Sequence, residues 1–489
     1  MWPCQLHPFN FPYNRGLLPA NLTIDRCGDA MTFWIPSIDA ATRPVYLAIA
    51  DALEADIGSG RLTEATRLPP QRALAQSLGI DFTTVSRAYA EARQRGLVEG
   101  RVGQGTFVRV RRRPPAAHAA SGLVDMSMNL PPRFDNADLE VRMRRATTTV
   151  QSESGPELLL RYQEPGGAER DRNAGVQWLA SRLPGLSPDR VLVCPGAQGA
   201  LLAVTSLLAM PGESVCSEAL TYPGFRALAA HLQIKLISLC SDENGIVPES
   251  FEEICRTRHP KALYCNPTLH NPTTTTLPIT RRIALVEIAR KYNVPIIEDD
   301  AYGALPKVPV PPLASLAPEL VYHIAGLAKC LAPALRIAYL AVPDVRAAVR
   351  ITNTLRATAG MASPLTAAIA TNWIETGIAK DVVSAIRAET ASRLAIANTV
   401  LPMQRVKSDP DAFHIWLRLP DVWTRGEFVA RMRSAGIGVV GSDAFALAAP
   451  PEAVRFGLGA PSTAEDLTSS LHIAADLLGE TPAHSSVVI

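Results

Sequence analysis

From Val124 onward the chain alternates short β-rich runs with segments of helical spacing. The runs are "RVLVC", "SVCS", "IKLISL", "KALYC", "VPIIE" and "LVYHIA". That alternation predicts an α/β architecture: a mainly parallel, doubly wound sheet with helices on both faces. Ligands of such sheets sit beyond the carboxyl ends of the strands, so polar residues at strand ends are the ones to collect. At 489 residues the chain is too long for one core, and two to four domains are expected.

Composition excludes several classes. Net charge is +2, so the chain as a whole carries no nucleic-acid or membrane signature. Eight cysteines (Cys4, Cys27, Cys194, Cys216, Cys240, Cys255, Cys265, Cys330) lack CxxC spacing and read as reduced cytosolic thiols, with neither a disulfide framework nor a metal site. No apolar run reaches the roughly 18 residues of a membrane span, so a cytoplasmic protein is expected. Residues 1–30 have no basic start followed by an apolar core, hence no secretory signal. They read as a disordered tail or an upstream mis-start and are left out of the fold.

Residues 31–113 form a basic module, with twelve arginines against eight acids. Tyr46, Ile49, Ala50, Leu53 and Ile57 fall at helical spacing. "LPPQRALAQSLGI" reads as a proline-led helix stopped by Gly79. Asp81 caps a third helix, "FTTVSRAYAEARQRG", which buries Val85, Ala88, Tyr89 and Ala92 and shows Thr83, Thr84, Arg87 and Glu91. "LVEGRVGQGTFVRV" reads as a hairpin with a glycine tip, Gly103 and Gly105. Three helices and a hairpin make a winged helix-turn-helix. A plain helical bundle with a solvated charged face is the alternative.

This segment resembles the DNA-binding domain of the GntR family in its "LPPQRALA", "TTV" and "GQGTFV" stretches. The resemblance implies that the third helix enters the major groove of a double-stranded operator, with Thr83, Thr84 and Arg87 near bases and phosphates. Arg72 would hold a phosphate, and the Gly103–Gly105 tip would lie along the backbone or minor groove. The family often has arginine where this chain has Phe82. Residues 31–110 are assigned to this domain, and the Arg-, Pro- and Ala-rich residues 111–123 to a linker.

Within residues 124–478 the strand ends carry chemistry. "VLVCPGAQGALLAV" is strand, glycine turn and helix, and the amides of Gly196, Ala197 and Gln198 open a helix N-terminus suited to a phosphate. One strand ends in a loop with Asn271, another in Asp299 and Tyr302. Lys329 then stands in an apolar run, "HIAGLAKCLAPALRIAYL", in a chain with seven lysines and forty-one arginines. Arg336 follows seven residues later. Together these groups fit pyridoxal phosphate. An apolar setting favours the neutral amine, the nucleophile toward an aldehyde. A carboxylate at the pyridine nitrogen keeps the ring electron-poor. Asn271 and Tyr302 suit the phenolic oxygen, and Arg336 the phosphate.

Residues from about 125 to 475 resemble a fold-type I, class I aminotransferase. The matching stretches are "YQEPGGAERDR", "PGAQGAL", "TYPGF", "HNPTT", "EDDAY", "AKCLAPALR" and "VRFGLGAP". The resemblance implies a smaller α+β subdomain beside the sheet, with Tyr222 stacked on the ring and Tyr162 reaching a neighbouring subunit's phosphate. It also implies that Arg455 grips an α-carboxylate. The chain departs from the family at Ala328 and Gly326, where serines are usual, and in "NPTT" for "NPTG".

A GntR-type winged helix fused to an aminotransferase-like domain is the architecture of MocR regulators. That resemblance implies a homodimer that reads paired half-sites and senses pyridoxal phosphate or a small amino compound condensing with it. The second reading is a working aminotransferase, since fold alone does not decide function. Residues 479–489 read as a flexible tail.

Overall fold

The apolar β-runs bury their side chains on both faces, because helices cover the sheet above and below. In the computed structural model, residues 34–38, 44–58, 61–63, 65–101, 105–109, 124–153 and 155–480 are described. The chain divides into two units, Met1–Ala119 and Ala120–Ile489.

The larger unit is built on a seven-stranded sheet. Its spatial order is Val191–Cys194, Ala338–Ala341, Val321–Gly326, Ile296–Asp299, Ala262–Cys265, Ser214–Glu218 and Lys235–Leu239. Ala338–Ala341 is antiparallel to both neighbours, and every other pairing is parallel. This antiparallel strand is the end of the long apolar run that holds Lys329, where no change of composition sets a strand apart. The parallel strands end on one edge. Cys194, Glu218, Cys265, Asp299 and Gly326 therefore deliver the following loops to one place.

A smaller antiparallel sheet pairs Val406–Lys407, His414–Arg418, Ala453–Gly457 and Val440–Gly441. Arg455 lies opposite Trp416 on one side and Val440 on the other. Buried Arg393, on the helix Ile378–Val400, donates to the carbonyls of Leu458 (2.9 Å) and Pro461 (2.8 Å) and so pins the chain just beyond Arg455. Its hydrogen bonds supply partners to carbonyls that would otherwise be buried without any.

In the first unit the helices are Val45–Gly58, Gln71–Leu78 and Phe82–Gln94. Gly79 ends the second at φ 64°, a left-handed conformation that costs glycine little. Asp81 accepts from the Thr83 amide at 2.7 Å and caps the third helix. Val85, Ala88, Tyr89 and Ala92 are buried, as their spacing predicts, and the Tyr89 hydroxyl donates to the Pro69 carbonyl at 2.9 Å. Strands Val98–Arg101 and Gly105–Val108 form the antiparallel wing. Gly103, the first 30 residues, the 111–123 linker and residues 481–489 lie outside the described residues.

Among the described residues no helix is long and apolar enough to cross a membrane, and no cluster of His, Cys, Asp or Glu is arranged to hold a metal. The six described cysteines are free thiols, and Cys194, Cys216 and Cys265 sit in buried strands.

Candidate functional site

Asp299 closes the central strand Ile296–Asp299 and is 5% exposed. Its Oδ2 accepts from the Tyr264 hydroxyl at 2.9 Å, while buried Oδ1 has no partner. Burial pushes its carboxyl up to about 6 against the help of the Tyr264 bond. A buried carboxylate oxygen left unpaired is costly, and a ligand cation there would relieve the cost. Asp300, the other candidate from "EDDAY", is engaged elsewhere: it pairs with buried Arg182, and its Oδ2 lies 3.4 Å from His323 Nε2. The two carboxylates of the motif thus have separate duties.

Lys329, three residues beyond the strand Val321–Gly326, is half-buried and donates to the Asn129 main-chain oxygen. Burial, helped by the nearby Arg455 charge, lowers its amine to about 8, while Asp299 opposes the shift. The apolar setting read from sequence is therefore only part of the cause. Arg455, brought from the smaller sheet, adds electrostatic pressure toward the neutral amine.

Arg455 is itself 5% exposed. It donates to Asn271 Oδ1 at 2.7 Å and to the Ser127 carbonyl, its guanidinium carbon lies 5.2 Å from the Phe445 ring centroid, and buried Nε has no partner. Because Asn271 Oδ1 accepts from Arg455, its side-chain NH2 is the end left to donate elsewhere. Tyr302, 3% exposed, accepts from Asn129 Nδ2 at 2.8 Å.

The glycine turn expected to suit a phosphate opens the helix Gly196–Leu208, whose first-turn amides have no intrahelical acceptor. Gly196 has φ 73°, and a Cβ there would stand 3.6 Å from the Arg336 guanidinium carbon. That turn, Ala197 and exposed Arg336 thus lie side by side, and Gln198 donates to the Gly224 carbonyl at 3.0 Å with its own Oε1 unpaired. A Cβ on Gly224 would collide with the Tyr222 ring, so glycine leaves that ring its place. Burial and the Asp299 charge raise the Tyr222 phenol. At Gly326, where a serine is usual in the resembling family, an added Cβ would meet Ala197 Cβ at 3.2 Å. This chain has a close glycine–alanine contact at that point instead of a hydroxyl.

Several groups at the site escaped the sequence reading. Asn266 holds the floor: its amide donates to Glu218 Oε1 (2.9 Å), its Nδ2 to the Asp299 carbonyl (2.5 Å), and its Oδ1 accepts from the Asn271 amide (2.9 Å). The duplicated Asn-Pro in "CNPTLHNPTT" was the available signal. Arg282, fully buried, donates to the carbonyls of Leu277 (3.0 Å), Pro267 (2.8 Å) and Pro311 (3.2 Å) and fixes the loop that carries Asn271. Asn129 bridges Lys329 and Tyr302 from far upstream, and nothing local in the sequence marks it. Tyr162 is 94% exposed and does not join this cluster within one chain.

On the first unit, Arg72, Thr83, Arg87 and Gly105 are exposed, while Thr84 is half-buried. Glu91, read as part of the displayed face, is half-buried and accepts from Arg95 at 2.8 Å. The Arg87 guanidinium lies over the Tyr46 ring at 4.4 Å, and that of Arg72 over Phe82 at 5.8 Å.

Residues 45–108 match the family "Bacterial regulatory proteins, gntR family", and residues 122–472 match "Aminotransferase class I and II". The chain is 33% identical to the HTH-type transcriptional regulator YdeF of Bacillus subtilis, across 91% of this chain and 97% of that protein. It is 28% identical to the probable rhizopine catabolism regulatory protein MocR of Rhizobium meliloti, across 61% of this chain and 66% of that protein. Among solved structures it is similar to the α-aminoadipate aminotransferase LysN of Thermus thermophilus. That match has a TM-score of 0.65 and 21% identity over 73% of this chain and 92% of the other, which is a likeness of fold.

Proposed function

The chain belongs to the MocR-like group of GntR-family transcriptional regulators, a winged helix joined to a fold-type I aminotransferase-like domain, and from that premise we propose that it is a pyridoxal phosphate-responsive, DNA-binding regulator. The observation that carries the cofactor half is the unpaired Oδ1 of buried Asp299, on the same site as an amine held near 8. An anion with no cation beside a lysine with depressed basicity is the donor set that a protonated pyridine aldehyde completes.

Pyridoxal phosphate supplies an aldehyde that captures amines and a ring that withdraws electrons. The residues around it divide the work. Lys329 offers the amine, and Asp299 places a negative charge where the ring nitrogen is protonated. Asn271 and Tyr302 would donate to the phenolic oxygen, and Tyr222 would pack on the ring. The first-turn amides of Gly196, Ala197 and Gln198, with Arg336, hold the phosphate. Arg455 orients an incoming carboxylate, which makes a small amino acid or related amino compound the fitting effector. Water is excluded by the burial of Asp299, Tyr302 and Arg455.

The reading includes a homodimer, in which Tyr162 serves the phosphate of the partner. Its near-complete exposure in one chain supports an action outside that chain. It also includes a cytoplasmic location and operator contacts through Arg72, Thr83, Thr84, Arg87, Gly103 and Gly105. The deciding experiment titrates the native upstream duplex with and without pyridoxal phosphate, beside an assay of amino-group transfer. A specific complex whose affinity changes with the cofactor is expected. Brisk transamination without any specific complex would leave the enzyme reading standing alone. Specific binding indifferent to the cofactor would remove the sensor.

A further inference from the structure

Phe82 is the first residue of the third helix of the winged unit and remains 42% exposed, although its neighbours Val85, Ala88 and Tyr89 are buried in the core. A lone exposed apolar side chain is ordinary on a protein surface. What sets this one apart is its company. The Arg72 guanidinium lies over the ring at 5.8 Å, bringing a cation beside it. Arg87, further along the same helix, is exposed as well. The ring therefore has one cation over it at the start of the helix, while the Arg87 guanidinium lies over Tyr46 on the first helix.

The polar groups at that end are already committed. Asp81 accepts from both the amide and the hydroxyl of Thr83, at 2.7 and 2.5 Å. Without DNA the Thr83 hydroxyl hydrogen is thus directed into the cap. Asp81 is an acceptor bearing negative charge, which repels phosphates. Thr84 is half-buried. Beside Arg72, the leading end therefore presents an exposed apolar ring.

In the major groove one base feature is apolar, the C5-methyl of thymine. Resting on the operator-binding reading above, we infer that Phe82 reads a thymine methyl in each half-site, with Arg72 holding the ring in place and neutralising an adjacent phosphate. The contact specifies sequence by burying one methyl group against an aromatic edge, and it uses no hydrogen bond.

The test uses the full-length protein and a random duplex library. After enrichment, each dT of the recovered half-site is replaced in turn by dU, which removes the methyl and leaves base pairing intact. One dT position is expected to lose about fourfold in affinity, the factor that goes with burying one methyl group. Phe82→Ala should be indifferent to that replacement while keeping its salt-dependent binding to unrelated duplex. Phe82→Arg should instead enrich dG at the same position, because a guanidinium pairs with the guanine O6 and N7 acceptors. Neutral replacement at every dT, or sensitivity that survives in Phe82→Ala, overturns the contact while leaving the regulator intact. A library from which the wild-type protein enriches nothing overturns operator recognition and this contact with it.

Discussion

Asp299, Arg455 and Tyr302 in the larger unit are at most 5% exposed, and oxygen or nitrogen atoms of the first two have no partner in the protein. Arg72, Thr83 and Arg87 in the winged unit lie at the surface, and each already leans on a neighbour, Phe82, Asp81 or Tyr46. The first arrangement keeps charges out of water, so a ligand that completes them gains a strong interaction at one point. The second leaves charges in water, where each contact is worth little and binding accumulates over many. A single substitution should accordingly be severe in the larger unit and graded in the smaller one.

The severest case is Lys329→Ala. Borohydride should trap pyridoxal phosphate on Lys329 in the natural chain and on no residue in the variant, with complete loss of the yellow absorbance. A labelled peptide containing another lysine would break the assignment of the site. Asp299→Asn comes next and acts in two directions. Without cofactor, the folded chain holds the Asp299 proton more tightly than the unfolded chain does, since its carboxyl rises from the ordinary 3.8 to about 6. Stability from this group is therefore present at low pH and lost as pH climbs from about 4 to about 6, by roughly 3 kcal/mol. Denaturant unfolding of the cofactor-free asparagine variant should lack that slope. With cofactor, the same variant should bind more weakly by roughly 150- to 5,000-fold, because removing one partner of a buried ion pair costs about 3–5 kcal/mol. An unchanged pH profile together with unchanged affinity would show that the carboxylate is solvated.

These two residues were legible in the sequence for a physical reason. A lysine in an apolar run and carboxylates at the end of an apolar strand violate the usual partition of charge to the surface, so they stand out without any structure. The alternation of strand and helix and the winged helix were equally open, since periodicity, caps and the Gly79 stop are local signals. The rest depends on contacts between distant segments. Asn129 and Lys329 are 200 residues apart, and Arg455 meets Asn271 across 184. Arg182 fixes which of the two adjacent carboxylates stays available, and nothing near Asp300 announces it. Arg282 resembles any helical arginine in sequence, yet it is fully buried. Spacing reports which face of an element a residue occupies and is silent about what that face meets.

Arg87→Ala sharpens the contrast on the exposed side. It should lower the melting temperature of the winged unit by only a few degrees, since the side chain is at the surface and the Tyr46 contact it loses is worth about 0.5–1 kcal/mol. Operator affinity should fall by about 1–3 kcal/mol if the guanidinium reads a base, with relaxed preference at one position. A loss that is uniform across sequences, with a shallower dependence on salt, would make it a phosphate contact instead. Fluorescence anisotropy at several salt concentrations separates the two.

The smallest expected effect lies one layer behind that arginine. The Tyr46 ring sits under the Arg87 guanidinium at 4.4 Å, on the first helix of the unit, and is half-buried. Such a cation–π contact at an exposed site is worth about 0.5–1 kcal/mol, and here it also restricts a long side chain before DNA arrives. Tyr46→Leu keeps apolar bulk in the same place and removes the aromatic face. Operator affinity should fall by about 0.5–1 kcal/mol through loss of that positioning, with the fold intact by circular dichroism. The decisive measurement is the double variant. If Tyr46 acts through Arg87, then Tyr46→Leu on an Arg87→Ala background should cost nothing further, giving a coupling energy equal to the single-variant loss. Additive losses would mean that Tyr46 touches DNA on its own account. The exposed unit would then meet its ligand through a second aromatic ring besides Phe82.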